Sequence, residues 1–96
     1  MTKIIWTEPA LLDLDGIHAY IARDSEVYAN GLILEILHSV DQLEQFPKSG
    51  RIVPEFNEEN TRELVIGNYR VVYDIVKSQI QILTVLHGAR LFRKAK

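Results

Sequence analysis

The hydrophobic period changes once along this chain, near its middle, and that change constrains the fold more than any other feature. Ala10, Leu11, Leu14, Ile17, His18 and Ile21 recur at spacings of three and four, predicting an amphipathic helix that ends near Arg23. Thr7 is placed to cap it, with Glu8 and Pro9 in a first turn that tolerates both an acid and a proline. Asp24-Ser25 breaks the pattern. A second stripe follows, through Ala29, Leu32, Ile33, Ile36, Leu37, Val40 and Leu43, until Pro47 stops it. Gly31 inside that stripe weakens the helix or admits a close neighbour.

Beyond Pro47 the repeat shortens to two. Arg62 to Ile66, Tyr69 to Val76 and Gln79 to Leu86 read as strands, separated by Gly67-Asn68 and Lys77-Ser78 turns; Arg51 to Val53 reads as a brief extra strand. Lys3 to Trp6 forms another at the start. The expected fold is therefore α+β: an N-terminal strand, a two-helix antiparallel hairpin, then a three- to four-stranded antiparallel meander. The helices pack on one face of the twisted sheet.

The 96 residues suit one domain, expected to span residues 1–96 with a basic C-terminal tail over 90–96. A core this small is marginal, and without cysteine neither disulfides nor thiolate–metal sites can brace it. Partner binding is the remaining source of extra stability. No apolar run approaches a membrane span, and the N-terminus has no signal-peptide character, so a cytoplasmic protein without membrane contact is expected.

The formal net charge of −2 conceals a division. Through Pro47 two bases face eight acids, whereas from Lys48 onward nine bases face five acids. Such a division predicts a localised anionic partner for the second half and a solvated first half.

Particular residues now become recognisable. Ile5-Trp6-Thr7-Glu8-Pro9-Ala10 with Asp13-Leu14 and Tyr20-Ile21 resembles the first strand and helix of the RelE/ParE toxin superfamily. Phe46-Pro47-Lys48-Ser49-Gly50-Arg51, with Val53-Pro54-Glu55, resembles its linker between helices and sheet. Arg62-Glu63-Leu64, Tyr69 to Tyr73, and Ile82 to Arg90 complete the pattern in order, so the resemblance covers about residues 4 to 90. It implies the toxin half of a type II toxin–antitoxin pair, held inactive by a cognate antitoxin. RelE-like members cleave messenger RNA on the ribosome, whereas ParE-like members poison DNA gyrase. Neither activity implies a cofactor, a metal or a small-molecule substrate.

Metal-free RNA cleavage needs a base, cations for the phosphorane and an acid. The resemblance would make Glu55 the base and Arg70 a phosphate-binding cation; Arg62, on a neighbouring strand, is a further candidate cation, and His87, the only histidine of the second half, a candidate acid. Three of them have a plainer alternative. Arg70 can pair with Glu55 or Glu63, Glu55 can be a turn carboxylate, and His87 can serve backbone groups where its strand ends. Arg62, Arg70 and Arg90, on or at the ends of consecutive strands, are expected to share one sheet face. Two departures favour the ParE-like branch. The chain ends its last strand in His87-Gly88-Ala89-Arg90 with no tyrosine after Tyr73, and its isoelectric point is near 5.9. That branch acts by binding, with Arg51, Arg62, Arg70, Arg90, Arg93 and Lys94 as target contacts. The gyrase reading therefore leads, and the ribosome with its message is the alternative target.

Overall fold

In a computed structural model of the chain, which describes residues 2–88, the break in period falls at the linker after Phe46. The expected contacts Arg90, Arg93 and Lys94 lie outside the described residues. Chain order is β1 (Lys3–Trp6), α1 (Glu8–Ala22), α2 (Glu26–Asp41), one 3₁₀ turn (Gln42–Glu44), β2 (Arg51–Ile52), β3 (Thr61–Ile66), β4 (Tyr69–Val76) and β5 (Gln79–His87). Both predicted caps form. The Thr7 hydroxyl accepts from the Ala10 amide, and the Ser25 hydroxyl from the Tyr28 amide.

The expected α+β class is the observed one. The sheet runs β1-β5-β4-β3-β2. Four strands form the antiparallel meander, and β1 joins the far edge parallel to β5, pairing Lys3 with Gln79 and Trp6 with Ile82. A parallel edge follows from the helical hairpin. Chain leaving β1 crosses the sheet in two helices and returns through the meander, which brings β5 back alongside β1. Thr7 seals this corner, its amide and hydroxyl both donating to the Ile82 carbonyl. Asp13 then reaches from α1 to accept from the Val85 amide and the Thr84 hydroxyl, occupying β5 where β1 has ended.

The helices cover one face of the sheet. Ala10 and Leu14 from α1 and Ile36 and Val40 from α2 pack on Val71, Tyr73, Ile80, Ile82 and Val85. On the opposite face a smaller apolar cluster joins Val53, Val72 and Leu86, with Phe56 and Leu83 at its margin. That cluster requires the chain between β2 and β3 to fold back over the sheet as a strap. The strap is a tight turn, with the Phe56 and Asn57 amides both donating to the Val53 carbonyl and Asn57 at φ 54°. A bulge at Leu83 helps. The register steps from Val72–Thr84 to Tyr73–Ile82, leaving Leu83 without a partner residue and adding it to the strap's cluster.

Candidate functional site

The site grows from the strap and the three strands beneath it. Strand pairing sets Arg51 opposite Glu63, Glu63 opposite Val72, and Arg70 opposite Val65, so all these residues share the face away from the helices. Glu55 descends onto them from the strap. Its two oxygens accept from both terminal nitrogens of Arg70 at 2.8 and 2.9 Å, a two-pronged ion pair. The Arg70 Nε donates to Glu63 Oε1 at 2.6 Å, and the Arg51 Nε donates to the other oxygen of Glu63. The result is an alternating chain of charges, Arg51–Glu63–Arg70–Glu55, that sums to zero.

Its inner members are out of water. Arg70 is 5% exposed and Glu63 1%, whereas the Arg51 side chain is 61% exposed. Carboxylates in this position would be costly to bury alone, and the matched forks repay that cost. Hydrogen bonding to Glu55 raises the Arg70 pKa above its ordinary value; burial opposes the shift, and Glu63 adds to it. The guanidinium is therefore a permanent cation whose donors face internal acceptors.

Arg62 lies elsewhere. It pairs with Tyr73 across β3 and β4, on the helix side of the sheet, and so is not brought together with Arg70. The expectation of a shared face fails because of turn parity. A two-residue turn puts Ile66 opposite Tyr69 and therefore Arg70 opposite Val65, three residues from Arg62. An odd separation on one strand means opposite faces. Arg62 instead fastens the linker, donating to the carbonyls of Lys48, Gly50 and Glu59.

Tyr73 completes that fastening. Its hydroxyl donates to the Pro47 carbonyl at 2.7 Å and accepts from the Gly50 amide at 3.0 Å. Burial pushes the Tyr73 phenol upward from its ordinary pKa, against smaller opposing effects from the Gly50 amide and the Arg62 charge. Gly50 has no room for a side chain, because a Cβ there would meet the Glu63 carbonyl and the Tyr73 hydroxyl at 2.6 Å. This explains the Phe-Pro-Lys-Ser-Gly-Arg linker physically: it is the segment that Tyr73 and Arg62 hold against the sheet.

His87 ends β5 edge-on to Tyr69, with ring centroids 5.7 Å apart. Among the described residues there is no cluster of metal-ligating side chains and no helix long and apolar enough to cross a membrane. Sequence reasoning passed over Glu63 as a site residue, although its alternation with Arg62 and the same turn parity place it beside Arg70. It also missed Asp13 as the residue that closes β5, for which only the fold supplies a reason.

The architecture has solved counterparts. A structure titled as the chromosomal ParDE system of P. aeruginosa matches with a TM-score of 0.74 at 24% identity, covering 91% of this chain and 96% of that one. The toxin–antitoxin complex RelBE2 of Mycobacterium tuberculosis matches at 0.55 and 22% identity, covering 90% and 96%. At these identities the likeness shows the fold alone. Sequence carries the assignment further. The chain belongs to the ParE toxin family of type II toxin–antitoxin systems (parDE), whose family model matches residues 4–92. Toxin RelE2 of Caulobacter vibrioides is 32% identical over 92 residues, covering 95% of this chain and 100% of the relative. Y4kP of Sinorhizobium fredii is 39% identical over 88 residues, covering 90% and 88%.

Proposed function

We propose that this type II toxin acts in the cytoplasm as a ParE-like inhibitor of DNA gyrase, by binding rather than by cutting RNA. One observation carries the reading: Glu55 and Arg70, the pair to which a nuclease mechanism would assign base and phosphate cation, hold each other in a two-pronged ion pair. A base whose oxygens are both engaged by its own cation is poorly placed to take a proton from a ribose. The match to the ParE family model supports the same branch. On this reading, the contacts come from Arg51 at the exposed end of the ion chain, together with Arg90, Arg93 and Lys94. Arg62 and Arg70 support the surface from beneath.

A cognate antitoxin is the partner that neutralises the toxin. Supporting this, the fold matches solved chains from a ParDE system and from a RelBE2 toxin–antitoxin complex. The second reading, a ribosome-dependent endoribonuclease, draws on the full-length similarity to RelE2. Purified toxin added to gyrase in a supercoiling assay separates the two, alongside primer extension on translated messages after induction. Inhibited supercoiling or stabilised cleaved DNA, with uncut messages, is expected. Unaffected gyrase and cuts within codons would reverse the assignment.

A further inference from the structure

We infer that the segment after Gly88, residues 89–96, folds back into a groove between α2 and the β3–β4 turn, with Leu91 and Phe92 as its anchors. Val27, Tyr28, Leu32 and Glu35 from α2 and Asn68 and Tyr69 from the turn line this groove, whose volume is about 340 Å³. Leu32 is buried in the core, whereas Val27 and Tyr28 stand 85% and 63% exposed. Val27 is the most exposed large hydrophobic residue among those described. Apolar surface gathered beside a groove in this way marks a place where something docks.

Position selects the occupant. His87 pairs with Tyr69 and meets its ring edge-on, and the Gly88 amide donates to the Asn68 carbonyl at 2.7 Å. The end of β5 is thus held by two residues of the groove lining. Tyr69 packs on the helix side of the sheet, and His87 directly opposite shares that face. Leu91 and Phe92 follow Gly88 by three and four residues, and four extended residues reach at most about 14 Å, enough to cross so small a groove. Phe92 is the only aromatic residue after Tyr73, and the Leu91-Phe92 pair lies between Arg90 and Arg93.

Charge agrees with position. Helix α2 carries Glu26, Glu35 and Asp41 and contains no lysine or arginine. Residues 89–96 carry Arg90, Arg93, Lys94 and Lys96 and contain no acid. Glu35 lines the groove and Glu26 precedes Val27, both exposed, so bases flanking the apolar pair meet carboxylates flanking the groove. A second copy would set the acids of one α2 against those of the other, which disfavours it as occupant. A partner's helix, about 10–12 Å across with its side chains, is too thick to enter. Docking sets Arg90, Arg93 and Lys94 on the helix side of the sheet, whereas Arg51 stands on the opposite face beside Glu63. A target that touches both must reach round the sheet, whichever target it is.

Nuclear magnetic resonance on the full-length toxin tests this without any assay of toxicity. Cross-peaks between the Phe92 ring and the Val27 methyl groups are expected within one molecule. In a mixture of isotope-labelled and unlabelled copies, no such cross-peak should connect the two. Phe92→Ser should lower the melting temperature by about 5–10 °C while the circular dichroism spectrum stays folded. Val27→Ser, an exposed change between residues of similar helix propensity, should lower it comparably, and the double variant should fall little further. Absence of the Phe92–Val27 cross-peak would overturn the inference, and so would unchanged melting in both single variants. Fully additive losses would show that the two residues do not meet. Cross-peaks found only between copies would assign the groove to a second molecule and reject docking within the chain.

Discussion

The two outer surfaces of this toxin treat their polar and apolar groups in opposite ways. Beneath the strap, every charge of the Arg51–Glu63–Arg70–Glu55 chain has an internal partner, and the apolar residues around it are covered by Val53 and Phe56. On the helical hairpin the carboxylates other than Asp13 face water beside exposed leucines. Residues that stand out in a sequence as charged are therefore largely spent on the fold at the sheet. Residues that read as ordinary core stripe remain unspent on the helices. The difference teaches that a basic sequence segment is not by itself a basic surface, because register decides which cations are neutralised from within.

Substitution at Arg70 should break the comparison most severely. Arg70→Met leaves Glu63 buried with only Arg51 to answer it, and Glu55 without its two-pronged partner. A loss of about 3–5 kcal/mol is expected in urea unfolding, since a buried charge left unpaired costs more than the pair was worth. Replacing Glu63 by Gln in the same chain should restore part of that loss. If Arg70→Met alone unfolds at the wild-type urea concentration, the ion chain is not what holds the strap.

Tyr73→Phe tests the other fastening. It removes the hydroxyl that joins Pro47 to Gly50, at an expected cost of about 1–2 kcal/mol, and should expose the linker to proteolysis near Lys48. The same variant carries a pH signature. A phenol whose folded pKa is raised contributes fully below its unfolded value near 10, and that contribution falls away as pH rises through the folded value. Wild type should therefore lose more stability than Tyr73→Phe between about pH 9 and pH 11. Parallel pH profiles would show that the hydroxyl is not buried in the folded state.

The smallest effect should have the opposite sign and belong to the other surface. Gly31→Ala adds a methyl group into open space and helix propensity to α2, so the isolated toxin should gain about 0.5–1 kcal/mol. A destabilised Gly31→Ala protein would mean that the docked segment fills the groove up to Gly31 itself.

Much of the fold was readable before any coordinates. The switch from a period near four to a period of two located the first helix, the start of the second and the last three strands to within a residue or so, and Thr7 and Ser25 cap where expected; the second helix ends at Asp41, and Leu43 of its stripe lies in the 3₁₀ turn that follows. The site was readable only in part. The pairing of Arg70 with Glu55 or Glu63 stood among the alternatives, and both pairings occur at once. The separation of Arg62 from Arg70 was implicit in the two-residue turn but needed the pairing to be counted. Nothing local announced the parallel join of β1 to β5, the bulge at Leu83, or the strap that lays Glu55 on the sheet.

What the sequence determined by itself, then, were the elements and their order, because helix and strand periods are written in neighbouring residues. Tertiary structure alone decided which charges are consumed and which apolar residues stay exposed. Both depend on partners distant along the chain: Glu55 is 15 residues from Arg70, and Asp13 is 72 from Val85. Leu37 sits in the same stripe as Ile33 and Ile36, yet only the placement of α2 against the sheet leaves it partly in water. Burial is a property of the assembled layers, and no local pattern contains it.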